Sequence, residues 1–318
     1  MTDLALIVRR IVIETPAIRS LVLETIGDTP LPEWRAGAHI RIKLPDGGDR
    51  PYSLVDHPEW RTGRHYVVGV RLEEASAGGS KFMLGLREGD RILASPPINQ
   101  FDLQDGAGEV LLLAGGIGIT PILSMAAALD RVGRPFRLHY LGRARGELAF
   151  LHELEAICGD RLAVHYDNGP SAPPDFTSLM AGIGSDTDIY VCGPRGMIDA
   201  VESAVSAAGF SFGRLRYELF TATQAHAVGD KPFEVEIKSS GQVVTIGASQ
   251  SIIDALQAAG IDVKYDCRCG DCGICQTAVL EGVPDHRDFF LTDQEKASNK
   301  VMQICVSRSK SSRLVLDL

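Results

Sequence analysis

Residues 267–275 read CRCGDCGIC, and a further cysteine follows at Cys305. Cys267, Cys272 and Cys275 fit the spacing C-x4-C-x2-C, which with a later cysteine is the plant-type pattern for a [2Fe–2S] cluster. Four soft thiolates hold two irons in such a site, and a tight loop has to direct three of them inward. This stretch therefore predicts a cluster site with Cys267, Cys272, Cys275 and Cys305 as ligands.

Two other kinds of metal site could use the cysteines of this loop. Gly270 and Gly273 give the backbone freedom that a cluster loop needs. Cys269 could begin the bacterial pattern C-x2-C-x2-C-x3-C with the two later cysteines of the loop, but its fourth ligand would be Val279. A zinc ribbon needs two separated C-x2-C pairs, and a lone cysteine follows the loop. Cys269 is then a thiol outside the ligand set or a spare for ligand exchange.

Composition narrows the class of protein. Five of the seven cysteines lie between residues 267 and 305, a local cluster that favours metal over a disulfide framework. The net charge of −9 argues against nucleic-acid or anionic-membrane binding, since both need clustered Lys and Arg. The first residues lack the pattern of a signal peptide, which favours the cytoplasm. Residues 110–129 are uncharged, but glycines and Pro121 in their middle favour a buried strand, turn and helix over a membrane span.

Three regions of the chain differ in the secondary structure that their sequences predict. Residues 1–105 hold short strands separated by Gly, Pro and Asp turns, which predicts an antiparallel sandwich or barrel. Residues 106–225 alternate strands with helices, which predicts an α/β domain with a parallel sheet. Residues 226–318 hold a hairpin, a short helix, the cysteine loop and two further strands, which predicts an α+β domain. The segment at 221–232 is predicted to be a linker.

A glycine-rich turn lies inside the second region, in EVLLLAGGIGITPILSM at 109–125. Gly115, Gly116 and Gly118 separate a buried strand from a helix that Thr120 can cap. Such a turn directs amide groups at a phosphate. The G-x-G-x-x-G pattern fails because Pro121 stands where the third glycine belongs, and the Walker lysine is absent. A plain tight turn remains the alternative.

A second turn, VCGPRGM at 191–197, follows another predicted strand. Cys192, Gly193 and Pro194 would then lie at the carboxyl edge of the same parallel sheet, where α/β folds bind ligands. A small buried residue is the alternative reading of Cys192. Two such turns in one sheet strengthen the prediction of a nucleotide site.

Together with RPYS at 50–53, these motifs resemble the phthalate dioxygenase reductase family, which includes vanillate demethylase reductase components. The resemblance covers nearly the whole chain and its domain order. It implies a multidomain protein with a flavin-binding antiparallel β-barrel, an α/β nicotinamide domain and a β-grasp ferredoxin domain. It also implies the cofactors FMN, NADH and a [2Fe–2S] cluster.

The resemblance implies roles for particular residues. Arg50 would meet the flavin phosphate, while Tyr52 and Ser53 would face the isoalloxazine ring. A second flavin-phosphate loop is implied at Gly78, Gly79 and Ser80. The nicotinamide segments would be Gly115, Gly116, Gly118 and Thr120, together with Cys192, Gly193 and Pro194. Phe220 would shield the flavin and move for hydride transfer, so Ser53, Thr120 and Phe220 are the candidate catalytic residues.

The residues alone do not decide between NADH and NADPH. Arg143 and Arg145 follow the strand FRLHYLG, where an acidic residue would favour NAD and arginines could accept a 2′-phosphate. Arg143 also has a family role as a general cofactor contact. NADH is preferred by resemblance.

The implied function is an electron relay from NADH through FMN and the cluster to a protein partner, a Rieske-type oxygenase acting on an aromatic or related substrate. A monomer suits a shuttling reductase. One alternative is a permanently bound electron-transfer subunit of a larger flavoenzyme. Another is a non-enzymatic metal-binding redox sensor whose nucleotide turns are structural.

Overall fold

A computed structural model describes residues 2–27, 29–45, 48–73, 78–167, 172–220, 229–265, 268, 270 and 273–318. The chain forms two compact units, Met1–Phe220 and Thr221–Leu318. None of the helices within these ranges has both the length and the apolar composition needed to span a bilayer. Most of the predicted linker at 221–232 lies outside the described residues.

The first unit begins with a curled antiparallel sheet. Its elements are β1 (Leu4–Thr15), β2 (Ile18–Thr25), β3 (Ala38–Lys43), β4 (Asp49–Ser53), β5 (His65–Arg71), α1 (Gly79–Gly85), β6 (Arg91–Ala94) and β7 (Ile98–Asn99). The strand order is β4-β3-β6-β1-β2-β5, with β7 paired to β3. A bridge between Leu54 and Val68 brings the two edges of the sheet together. The predicted antiparallel region is confirmed, and the helix α1 was not predicted.

The second half of this unit is a parallel sheet with helices. Its elements are β8 (Val110–Gly115), α2 (Ile119–Val132), β9 (Phe136–Gly142), α3 (Leu151–Cys158), β10 (Leu162–Tyr166), α4 (Phe176–Ala181), β11 (Asp188–Gly193), α5 (Arg195–Ala207) and β12 (Leu215–Leu219). The strand order is β10-β9-β8-β11-β12, all parallel. The uncharged stretch at 110–129 is thus a buried strand, a turn and a helix, as expected.

The two sheets of the first unit share a hydrophobic core. One buried cluster joins Val22 and Val67 of the curled sheet to Leu112 and Ile122 of the parallel sheet and its helix. Burial of such side chains contributes roughly 1.5–3 kcal/mol each. This common core explains why the two sheets form one compact unit.

One helix start was predicted wrongly. The sequence predicts a helix from residue 147, but α3 begins at Leu151. Arg145–Glu147 form a turn of 3-10 helix, and Phe150 has a positive φ of 59°. Phe150 is also buried, so its side chain fills the core at a place where its backbone cannot be helical.

The second unit is a mixed sheet with two helices. Its elements are β13 (Phe233–Ile237), β14 (Val243–Ile246), α6 (Ile252–Ala258), β15 (Gln276–Glu281), β16 (Pro284–Asp285), α7 (Asp293–Ser298), β17 (Val301–Gln303), β18 (Arg308–Ser309) and β19 (Arg313–Leu316). The strand order is β14-β13-β19-β15-β17, and β16 pairs β18. The predicted hairpin is β13–β14, and the last predicted strand, β19, runs parallel to β13.

Candidate functional site

The predicted flavin motif lies on β4, at the edge of the curled sheet. Pairing with β3 places Ser53 opposite His39, and both residues are buried. Arg50 and Tyr52 lie two residues apart and therefore on the same face of the strand. Burial raises the pKa of Tyr52 to about 12, against the opposing effect of the Arg50 charge, so the phenol is neutral at physiological pH.

The second predicted flavin segment contacts the first. A Cβ atom on Gly79 would lie 2.6 Å from Cγ of Arg50, so this position has room only for glycine. Gly78 precedes α1 with a φ of 104°. The Ser80 hydroxyl bonds the backbone of Glu73, donating to its carbonyl oxygen at 3.4 Å and accepting from its amide at 3.2 Å. The structure thus brings the two predicted phosphate-binding segments together.

The two predicted nicotinamide turns also meet, at the carboxyl ends of β8 and β11. A Cβ on Gly115 would lie 2.7 Å from Cδ of Pro194 and 3.3 Å from Cα of Gly193. A Cβ on Gly118 would lie only 2.2 Å from the carbonyl oxygen of Cys192, which is itself fully buried. β8 and β11 are neighbours at the point where the strand order reverses, which is the ligand crevice of open α/β sheets.

The predicted cap by Thr120 is wrong. Gly118 is the N-cap of α2, and Thr120 lies inside the first turn, where its hydroxyl donates to the carbonyl oxygen of Ile117 at 3.1 Å. One turn later the Ser124 hydroxyl donates to the Leu54 carbonyl oxygen at 2.7 Å and accepts from the Asp56 amide at 2.9 Å. These bonds fasten α2 to the residues that follow the flavin motif.

Strand β5 supplies contacts that the sequence did not reveal. A Cβ on Gly69 would lie 2.6 Å from Cγ2 of Thr120, so the strand passes directly against the start of α2. At the end of the strand, Nη1 of Arg71 lies 3.9 Å from the position of a Cβ on Gly116. Arg71 therefore adds a positive charge beside the glycine-rich turn, a role that its basic side chain at a strand end could have indicated.

Two further predicted residues lie near this edge of the parallel sheet. Phe220 follows Leu219, which pairs with Gly193, and the Phe220 side chain is 37% exposed. Arg143 follows β9 and is exposed. Its neighbour Arg145 is paired with Glu155 at 2.9 Å, and the hydrogen bonds that Arg145 donates to Tyr166 and Glu155 raise its pKa.

Part of the predicted cluster site lies within the described residues of the second unit. Cys275 and Cys305 are both buried, and the Ile304 amide donates to the Cys275 carbonyl oxygen at 3.5 Å, which places the two segments side by side. Cys267, Cys269 and Cys272 lie outside the described residues. Two buried thiols on adjacent segments are a donor set that suits iron.

The glycines of the cysteine loop fit a tight cluster loop. Gly270 and Gly273 have φ values of 78° and 74°. A Cβ on Gly270 would lie 2.9 Å from Cα of Asp288, and one on Gly273 would lie 2.3 Å from Cζ of Phe290. The loop is therefore packed against the segment around Asp288. A side chain at Gly270 would clash with the Asp288 backbone, and one at Gly273 would displace the Phe290 ring.

Phe290 covers Gly273 while remaining partly in solvent. Its ring is 47% exposed, and the neighbouring Ile274 of the cysteine loop is 43% exposed. The Phe290 amide donates to the Gly270 carbonyl oxygen at 3.1 Å. An exposed apolar pair at the cysteine loop is a candidate protein-docking surface that the spacing of cysteines did not reveal.

Comparisons with known proteins agree with this geometry. Residues 235–310 match the 2Fe-2S iron-sulfur cluster binding domain. The chain is 44% identical over 292 residues to a vanillate O-demethylase oxidoreductase of a Pseudomonas species, with 91% of each chain covered. It is 42% identical to the phenoxybenzoate dioxygenase subunit beta of Ectopseudomonas oleovorans, with 91% of this chain and 89% of that one covered.

A solved structure matches the whole fold. The structure of phthalate dioxygenase reductase, described as a modular structure for electron transfer from pyridine nucleotides to [2Fe–2S], is 36% identical. It superposes with a TM-score of 0.87 over 99% of this chain and 98% of that chain. The curled antiparallel sheet, the parallel sheet and the cluster-binding domain thus define an oxidoreductase with a flavin- and nicotinamide-binding reductase fold. The chain belongs to the phthalate dioxygenase reductase family.

Proposed function

We propose that the protein moves electrons from NADH through FMN and a [2Fe–2S] cluster to a Rieske-type oxygenase. The observation that supports this most strongly is the meeting of the β4 motif, β5 and the two glycine turns in one unit. When bound, the flavin accepts two electrons from nicotinamide, and the cluster passes them on one at a time. The protein supplies binding, orientation and exclusion of water.

Six residues of β4 and of the segment that begins α1 are proposed to hold FMN. Arg50 presents a forked donor to the phosphate, and Gly79 keeps that side chain in place. Tyr52 offers a neutral ring for packing on the isoalloxazine. Ser53 offers a hydroxyl to the ring nitrogens. Gly78 and Ser80 shape the start of α1 beside the same phosphate.

The two glycine turns are proposed to hold the nicotinamide. Gly115 and Gly118 pack against Cys192, Gly193 and Pro194, and the pyrophosphate is proposed to bind at this turn beside Gly116. Thr120 and Phe220 border the nicotinamide ring, and Phe220 moves aside for hydride transfer. NADH is the proposed donor because of the family to which the chain belongs, and Arg143 is a proposed cofactor contact. Arg145 is paired with Glu155 and Tyr166 at the surface.

The cluster ligands, the domain boundaries and the oligomeric state are proposed as follows. Cys267, Cys272, Cys275 and Cys305 are the proposed cluster ligands. The curled sheet is proposed to close as a barrel over residues 1–105, followed by the nucleotide domain at 106–225 and a β-grasp ferredoxin domain at 226–318. A monomer is proposed as the working form, and the cytoplasm stays a prediction from the sequence.

Steady-state reduction of two acceptors tests the proposal. Purified protein supplied with NADH should reduce ferricyanide, a small acceptor, and cytochrome c, a protein acceptor. A colourless protein that reduces neither would contradict the proposal and favour the redox-sensor alternative.

Replacing Arg50 by alanine is expected to weaken FMN binding by roughly 10–100-fold, the size expected for a charge-assisted hydrogen bond to phosphate. Fluorescence of FMN released on dilution measures the affinity. Arg91→Ala is the matched control, because Arg91 is an exposed arginine on β6 of the same sheet. Unchanged FMN affinity in Arg50→Ala would rule out its role at the phosphate.

Replacing Phe290 by alanine is expected to lower kcat/KM for cytochrome c by about tenfold, the size expected for an apolar docking residue. Ferricyanide reduction should stay at the wild-type rate, since a small acceptor needs no docking surface. Leu280→Ala is the control, because Leu280 is a 48% exposed apolar residue on β15 of the same unit. Equal effects of the two substitutions would argue against docking at the cysteine loop.

A further inference from the structure

Gln303 carries a buried amide beside a proposed cluster ligand. It is the last residue of β17, pairs with Gln276 of β15 and is 0% exposed. Its Oε1 atom lies 3.3 Å from Sγ of Cys275, and its Nε2 atom lies 3.3 Å from Oε1 of Gln276. Both ends of this amide are therefore paired, one of them with sulfur.

The direction of these bonds depends on the state of the sulfur. With a free thiol, Cys275 donates its proton to Oε1 of Gln303. A cysteine bound to iron is a thiolate, which has no proton and can only accept. An amide oxygen facing a thiolate at 3.3 Å would set two acceptors against each other in the protein interior, where an unmade hydrogen bond is destabilising.

A rotation of the amide removes this conflict. The oxygen and nitrogen of a glutamine amide are nearly the same size, so exchanging them requires no new space. Nε2 of Gln303 would then donate to Sγ of Cys275, and Oε1 would face Gln276. Gln276 is exposed and can turn its own amide to donate to that oxygen. The side-chain amides of Gln303 and Gln276 can therefore form their hydrogen bonds whether the Cys275 sulfur is a thiol or an iron-bound thiolate.

We propose that Gln303 donates an amide hydrogen bond to the Cys275 sulfur of the cluster-bound protein and thereby raises the reduction potential of the cluster. This inference rests on the proposed cluster site. Reduction adds negative charge to the cluster and its sulfurs, and a fixed donor in a buried place stabilises that charge. Gln303 is a positioning residue that tunes the cluster without binding iron.

The test is the midpoint potential of the cluster in the full chain, measured by redox titration with electron paramagnetic resonance. Gln303→Leu removes the donor and should make reduction about tenfold less favourable, which is ~59 mV more negative for a one-electron couple. Gln303→Met keeps the length of the side chain without an N–H donor, and should shift the potential in the same direction. Gln242→Leu, an exposed glutamine of the same unit, should leave it unchanged.

The outcomes separate this inference from the function on which it rests. Should either Gln303 variant that retains the cluster titrate at the wild-type potential, the inference is wrong while the electron relay stands. A wild-type protein without a reduced [2Fe–2S] signal would overturn the proposed function and this inference together. Iron and sulfide content, measured on each variant, shows that the potentials compare equally loaded proteins.

Discussion

Cys305→Ser is expected to abolish electron delivery to protein acceptors while NADH oxidation by ferricyanide continues. Cys305 is buried beside the Cys275 segment, and a serine there offers iron a hard oxygen in place of a soft thiolate. Reduction of cytochrome c by NADH should fall by roughly 100-fold or more, because cluster affinity falls when a ligand is lost. Ferricyanide reduction should persist, since the proposed flavin and nicotinamide sites lie in the other unit.

Cys158→Ala is the matched control for this experiment. Cys158 is a buried cysteine on α3 of the first unit, and burial raises the pKa of its thiol to about 12, so it carries no thiolate at neutral pH. The control should reduce cytochrome c like the wild type. Cytochrome c reduction that survived Cys305→Ser would show that electrons leave the protein without passing a cluster held by this residue.

Gly118→Ala is expected to slow flavin reduction by NADH by roughly 100-fold, because a misplacement near 1 Å costs that much in rate. The added methyl would lie 2.2 Å from the Cys192 carbonyl oxygen and would push the two nicotinamide turns apart. Overpacking of this kind also costs about 1–3 kcal/mol of stability. Stopped-flow absorbance in the flavin band measures the rate, and thermal unfolding measures the stability.

Gly146→Ala provides the comparison for Gly118→Ala. Gly146 has no atom within 4 Å of an added Cβ and no positive φ, so it should accept alanine with no change in rate. Similar rates for both variants would show that the contact between the turns does not position the nicotinamide.

Much of the fold could be predicted because local patterns and tertiary structure agree. The alternation of strands with helices in the sequence predicts a parallel sheet, and the structure forms that sheet from β8 to β12. The helix α7 was missed although Thr292 and Glu295 form a capping box whose T-x-x-E spacing is visible in the sequence. The start of α3 was missed for another reason, because the left-handed backbone of Phe150 is imposed by the core around it.

The residues of the candidate site also divide into those with a local sequence signal and those without one. Motifs carried by neighbouring residues, such as Arg50 with Tyr52 and Ser53, could be proposed from the sequence because the residues lie within one short segment. Contacts between distant segments could not be found. Nothing in the sequence indicates that Gly69 passes against Thr120, or that Phe290 covers the cysteine loop, since these depend on how strands pack.

Transfer of electrons from NADH to the cluster can be followed in one experiment. Purified protein is titrated anaerobically with NADH, and absorbance and electron paramagnetic resonance are recorded together. We expect bleaching of the flavin band accompanied by the signal of a reduced [2Fe–2S] cluster. Flavin bleaching without that signal, even with excess NADH, would contradict this transfer.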